Sequence, residues 1–468
     1  NSELTTNSSY SANQYELSMP KTAPDRTGNR RRIPPVKAAT PRWPFESGVR
    51  MIRPRMARQA AIPFVLFTLF LDILGIGLII PILPRLIEEL SGGNVASAST
   101  TFGLLASLYS LMQFLFAPVV GSLSDRYGRR PVILASLLGS ALDYALLAVA
   151  PTLGWFYLGR VVAGITGANI TAASAYIADV SPPEKRAQSF GLIGAAFGLG
   201  FIAGPALGGL LGHMGLRVPF WAAAGLTLVN WAYGMWIMPE SLKPEHRRPF
   251  SWQRANPVGS FLWLRQHPVV LGLTGTFFLL YLAQAAVHST WVLYTGYRYH
   301  WTVAQTGLSL AIVGVMAAIV QGGLVRKIVP RLGEQRAITL GLGMSVVTMA
   351  SYGLATQGWM IYVILVIGSL GGISGPAAQA LISRSVGVDE QGAIQGALSS
   401  VGSVAGILGP LISSHLFAYF IGPRAPFVLP GAAFFVGSDF LLGALLLALR
   451  SFRRHQSQPA TSGPPAPP

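Results

Sequence analysis

Three ionisable side chains interrupt apolar sequence. Asp143 lies in LLGSALDYALLAVA (137–150), Arg160 in YLGRVVAGITGA (157–168) and Asp72 in LDILGIGLIIPILP (71–84). In a membrane helix an aspartate or arginine costs about 2.5–3.5 kcal/mol to insert, so such residues face the protein interior, pair, and mark substrate or ion pathways. A short turn around Pro151 separates the segments of Asp143 and Arg160. Counted from the middle of that turn, their depths differ by only about 3 Å at 1.5 Å per residue. The spacing predicts an interior-facing Asp143–Arg160 ion pair. Two roles fit it: a proton-coupling element whose carboxylate takes a proton when the arginine lets go, or a structural clamp. Asp72 lies about 18 Å into its segment, counted from residue 60, with no basic residue near it in sequence. It is the easier proton acceptor of the two carboxylates, unless backbone or hydroxyl groups hold it in a structural role.

Membrane helices have to position these groups. Of 468 residues, 51% are hydrophobic and 11% charged, against about a quarter charged in soluble domains. Twelve apolar runs of bilayer-spanning length are expected near 60–83, 101–121, 131–150, 154–178, 188–211, 219–237, 268–293, 305–325, 336–355, 358–382, 393–416 and 426–449. The fold class expected is an all-α membrane protein. Absence of cysteine excludes disulfides, thiolate catalysis and zinc–thiolate sites. The net charge of +17 is spread over loops and ends, which points to membrane topology and not to nucleic acid. Loops after even-numbered spans carry most of it, from Arg126, Arg129 and Arg130 to Lys327 and Arg331, whereas the opposite loops show only Arg85, Arg217, Arg298 and Arg424. The positive-inside bias then places both termini in the cytoplasm, and the expected location is the cell's inner (cytoplasmic) membrane.

The stretch 239–267, opening with PESLKPEHRRP, separates two sets of six runs. The expected organisation is a polar, disordered extension or leader at 1–58, a six-helix bundle at 59–238, a cytoplasmic linker at 239–267, a second bundle at 268–450 and a flexible tail at 451–468. The two bundles echo one another. GLIGAAFGLGFIAGP (191–205) aligns without gaps on GALSSVGSVAGILGP (396–410), and AGITGA (163–168) is similar to GGISGP (371–376). Repeated six-helix halves are how transporters build a midplane site opened alternately to either side.

GSLSDRYGRRPVI (121–133) joins the second and third runs. Gly121 and Gly128 frame a charged turn of Asp125, Arg126, Arg129 and Arg130, with Asp125 and Arg129 close enough to bond. In the fifth run Gly200, Gly204, Gly208 and Gly212 recur every four residues, a face on which helices approach backbone to backbone, and Pro205 loosens the helix. That face is expected to be where the halves rock.

The 121–133 loop resembles the signature of the major facilitator superfamily, in which it acts as a conformational latch. Gly204, Pro205, Gly208 and Gly209 resemble the motif of its proton-coupled antiporters. With the segments of Asp72, Asp143 and Arg160, YIADV (176–180) and FGLGFIAGPALGG (197–209), the chain resembles the tetracycline-resistance efflux proteins of that superfamily over about 60–450. The resemblance implies two pseudo-symmetric six-helix bundles, no bound cofactor, and proton-driven export of tetracycline, as a divalent-metal chelate, or of a related drug. It extends functional roles to Asp72, Asp125, Arg129, Asp143, Arg160 and Asp179.

The second half departs from those exporters. They carry a histidine in helix 8 and an aspartate in helix 9, where this chain has Ala317 and Ser345. Gln113, Gln284, Gln321 and Gln379 are candidates to line a substrate path, with His288, and Asp439 is a candidate second-half carboxylate. Tyr109, Phe114, Trp291 and Tyr294 are aromatic candidates. Alternatives are a transporter of another drug or metabolite, a channel, or a membrane-embedded enzyme. The seven histidines form no His-Glu-x-x-His motif and there is no Gly-x-Ser-x-Gly elbow. No metal site is expected, the energy source is a proton gradient, the partners are a small drug, protons and lipid, and the oligomeric state is left open, a monomer being one option.

Overall fold

A computed structural model describes residues 54–167, 169–181, 186–250, 268–384 and 391–456, all helical apart from turns. Eleven stretches are long and apolar enough to cross a membrane: α1 (Val65–Leu90), α2 (Val95–Tyr127), α3 (Arg129–Val149), α4 (Leu153–Val180), α5 (Leu192–Gly212), α7 (Leu271–Tyr299), α8 (Val303–Leu332), α9 (Glu334–Leu354), α10 (Gly358–Arg384), α11 (Ile394–Ile421) and α12 (Ala432–Arg453). The twelfth, α6, is the 20-residue helix Val218–Ile237. At 1.5 Å per residue it is about 30 Å long, the thickness of a bilayer core, although Asn230 and three tryptophans dilute its hydropathy. Helix begins at Pro54, inside the stretch expected to be an extension. Residues 1–53, most of the linker (251–267) and the tail from 457 lie outside the described residues.

Several spans are broken where the sequence weakens the helix. Pro81 and Pro84 bend α1 between Pro54–Ile79 and Leu83–Leu90, so the first span runs on beyond the expected 83. In α4 the helix stops at Thr166 and resumes at Asn169. A π-helical turn occupies Val320–Leu324 in α8, and a 3-10 turn Ser369–Ile373 in the glycine-rich part of α10.

The packing repeats with a shift of six helices. α5 lies against α1 of its own half and α8 of the other; α11 lies against α7 of its own half and α2 of the other. The two crossings correspond in that each sets a glycine against a proline carbonyl. A Cβ on Gly307 of α8 would lie 2.5 Å from the Pro205 carbonyl oxygen, and one on Gly103 of α2 would lie 2.8 Å from that of Pro410. Both glycines are there because a helix backbone needs their space. The turns before α3 and α9 also correspond, each held by a glycine at positive φ: Gly128 at 108° and Gly333 at 78°. Beside each turn an ion pair ties the start of the odd helix to the end of the next, with charges exchanged: Arg129–Asp179 at 3.2 Å and Glu334–Arg384 at 3.1 Å.

Among the described residues, the polar contacts between the halves lie on one side. Away from the face that carries the 121–133 loop (the latch face), the Ser99 and Ser107 hydroxyls donate to Ser414 and Ile407 carbonyls at 3.0 and 2.7 Å. Gly209 and Gly212 of α5 meet Val303 of α8 on the same side. Towards the latch face a Cβ on Gly194, Gly198, Gly322 or Gly323 would meet nothing. Among the described residues, the space between the halves therefore opens to the latch face.

Candidate functional site

The turn between α3 and α4 brings Asp143 and Arg160 together as their spacing predicts. Arg160 Nη2 donates to Asp143 Oδ2 at 2.9 Å, and the aspartate side chain is 1% exposed. Gly159 permits the approach, since a Cβ there would lie 2.6 Å from Asp143 Oδ1. Among the described residues the pair is joined by one hydrogen bond, and Asp143 Oδ1 and Arg160 Nε are buried without a protein partner. The guanidinium lies over the Tyr109 ring at 5.9 Å, a cation–π contact from α2.

Asp72, Asp143 and Arg160 line one cavity of about 480 Å³ between the halves. Phe102, Phe201 and Trp291 contribute apolar area, and Pro205 borders it from α5. Asp72 is buried at 3% exposure. Both carboxylates and the guanidinium thus share a space large enough for a drug-sized molecule, beneath the closed side and open towards the latch face.

Gln284, Gln321 and Gln379 line a second cavity of about 450 Å³ inside the second half, together with Ser345. A third, of about 390 Å³, joins the two: it shares Tyr281 and Gln284 with the second and Tyr109, Arg160 and His288 with the first. Gln113 is placed differently, donating to the Tyr109 hydroxyl and the Gly167 carbonyl at 3.4 and 3.3 Å. Tyr109 and Trp291 line the main cavity, whereas buried Tyr294 donates to the Tyr352 carbonyl at 2.6 Å. Asp439 stands exposed on α12, away from all three cavities. Ala317 lines the main cavity. Among the described residues no three His, Cys, Asp or Glu side chains cluster closely enough to hold a metal ion.

The latch loop forms a separate cluster. Arg129 pairs with Asp125 at 2.6 Å and with Asp179 at 3.2 Å, and donates to Ser124 at 2.9 Å. Arg126 covers the Tyr127 ring, and Arg130 donates to the Met235 carbonyl. Asp179 also accepts from Ser241 at 3.1 Å. The residue that sequence reasoning missed is Glu240, the acid of PESLKPEHRRP. Its carboxylate accepts the backbone N–H groups of Arg129 and Arg130 at 2.9 and 3.3 Å, which are orphan donors at the start of α3. The available signal was an isolated acid directly after a span, on a face otherwise rich in arginine.

The glycines of α5 divide between two partners. Gly200, Gly204 and Gly208 face Ile73, Gly77 and Leu78 of α1, within their own half. Contact with the other half runs through the Pro205 carbonyl, Gly209 and Gly212. The other half therefore touches the edge of the glycine stripe and not its centre.

The family model described as Major Facilitator Superfamily matches residues 65–410 and 331–467. The chain is 42% identical over 409 residues to the Tetracycline resistance protein, class C, of Escherichia coli, covering 87% of this chain and 100% of that protein. With the class B protein of Escherichia coli it shares 35% identity over 391 residues, covering 83% and 95%. Among solved structures, the human organic anion transporter MFSD10 (TETRAN) matches with TM-score 0.63 and 25% identity, over 85% of this chain and 100% of that one. A bacterial homolog of the human lysosomal transporter Spinster, in an inward-facing and unoccupied conformation, matches with TM-score 0.69 and 17% identity, over 87% and 100%.

Proposed function

The chain belongs to the major facilitator superfamily, and on that premise we propose that it exports tetracycline or a related small drug from the cytoplasm in exchange for protons, by alternating access. It is a multi-pass secondary transporter, not an enzyme. The observation that carries the proposal is the shared cavity: Asp72 and the Asp143–Arg160 pair face one drug-sized space between two halves whose described hydroxyl–carbonyl contacts lie away from the latch face. Such a space passes from one face to the other when the halves rock, and carboxylates within it link that motion to proton binding. On this proposal the latch face, whose loops are the basic ones, lies in the cytoplasm, and the membrane is the cell's inner membrane. The cavity is then open inwards, ready to load drug.

Asp72 is the proposed proton carrier, and Asp143 takes part when Arg160 releases it. The N-half carboxylates also supply the oxygen ligands that a divalent ion carried by a chelated drug requires. Ala317 and Ser345 favour a second reading, a different drug using the same machinery.

Everted vesicles with an acidic interior and a pH-sensitive dye test this. Adding tetracycline with Mg²⁺ is expected to dissipate the gradient through the wild-type chain, and Asp72→Asn is expected to abolish the response and uphill drug uptake. A response confined to other compounds in a drug panel selects the second reading. Undiminished exchange by Asp72→Asn would remove Asp72 from the coupling role, and silence of the wild type towards every drug would end the efflux reading.

A further inference from the structure

The main cavity has two unlike walls. From the N half it receives Asp72, Asp143, Arg160 and the tyrosines beside them; from the C half its lining is apolar except at His288. His288 also lines the connecting cavity, next to Gln284. The two residues are one turn apart on α7, a spacing that puts them on one face. Four other polar side chains near them on this helix are satisfied within the protein. Ser289, Thr290 and Thr295 donate to carbonyls of α7 itself, and Trp291 donates to Ser309. Gln284 and His288 are instead exposed to the cavity, with no protein hydrogen-bond partner among the described residues.

An imidazole and a carboxamide placed between membrane helices need hydrogen-bonding partners, because leaving such groups unpaired is costly. The described residues do not provide them, which leaves the contents of the cavity as the source. On the efflux reading above, we propose that His288 and Gln284 are the C half's contact to the transported molecule. They hydrogen-bond a planar, oxygen-rich edge of the drug, while its apolar body lies against Trp291, Phe102 and Phe201. Arg160 and Tyr109 face the same space from the N half, so a bound drug spans both halves.

The chain has no cysteine, so His288→Cys introduces its sole thiol. In membrane vesicles, tetracycline is expected to slow alkylation of this thiol by N-ethylmaleimide several-fold, as is the compound that the wild type exports best in the vesicle assay. Gln284→Cys, labelled in parallel, keeps the test open if the His288 variant does not reach the membrane. His288→Asn and Gln284→Ala are expected to raise the KM for drug several-fold with kcat largely retained, the pattern of a lost binding contact. If the wild type exchanges protons for drug but neither thiol is protected and neither KM moves, the assignment of these two residues is overturned while the efflux reading stands. If the wild type exchanges nothing, both fall.

Discussion

At the level of single residues, the Asp143–Arg160 pair carries opposing demands. Burial makes each charge depend on the other, but a single hydrogen bond holds them, with Asp143 Oδ1 and Arg160 Nε left over. A structural clamp would be served better by a bidentate contact, the strong geometry for arginine and carboxylate; a contact that has to break and reform is served by this one. Asp143→Asn leaves Arg160 buried without its counter-ion, a situation that costs about 3–5 kcal/mol. The variant is therefore expected to melt earlier in detergent. Asp143→Asn combined with Arg160→Gln is expected to regain most of that stability, because no lone charge remains, yet to stay inactive in uphill drug uptake. Recovery of coupled transport by the double variant would reduce the pair to a clamp.

At the level of elements, the start of α3 is fastened by a residue from outside its own loop. Glu240 caps two N–H groups of α3 at its positive dipole end, a placement worth about 0.3–1 kcal/mol at an exposed site. Gly128 makes room for it: its φ of 108° suits glycine, and a Cβ would run into the Glu240 carboxylate. The Arg248 backbone N–H donates to the Asp125 carbonyl at 3.1 Å, which draws the stretch after α6 back onto the latch. Glu240→Ala is expected to lower drug turnover several-fold in vesicles while leaving KM near the wild-type value, since it touches the latch and not the cavity. Gly128→Ala is expected to do the same through strain and collision. A rise in KM alone in either variant would contradict a purely conformational role.

At the level of the whole molecule, the closed side is held by few polar contacts and two backbone crossings. Arg85 of α1 pairs with Glu88 at 3.0 Å and reaches across to the Trp301 carbonyl of the other half at 2.8 Å. Gly103 and Gly307 let α2 meet α11 and α8 meet α5 at symmetric points. Leucine at both glycines is expected to prevent closure of this side and hold the protein in the opposite state. In the cysteine-free chain, a reporter thiol from Ala317→Cys in the main cavity should then react faster with an impermeant maleimide from the far side and more slowly from the latch side. Arg85→Ala is expected to move the same reporter in the same direction, by less. Unchanged labelling in the leucine pair would show that these crossings do not set the balance between states.

The twelve spans, the depth match of Asp143 and Arg160, and the repeat in α5 and α11 were all legible in the sequence. They follow from the length and polarity a bilayer demands, the rise of a helix and the sharing of a short turn, which are local properties. What lay beyond reach depends on which helices become neighbours. The sequence did not reveal that Glu240 would cap α3, since the two are 111 positions apart. Nor did it reveal that three glutamines would line one cavity while Gln113 bonded to Tyr109, or that Asp439 would face away from the cavities between and within the halves. The glycine stripe could be read from periodicity; that its centre meets α1 and only its edge meets α8 could not, because packing depends on two surfaces and a stripe specifies one. The role of His288 has the same origin. In sequence it is one histidine among seven, and only tertiary structure leaves it unpartnered in the space between the halves.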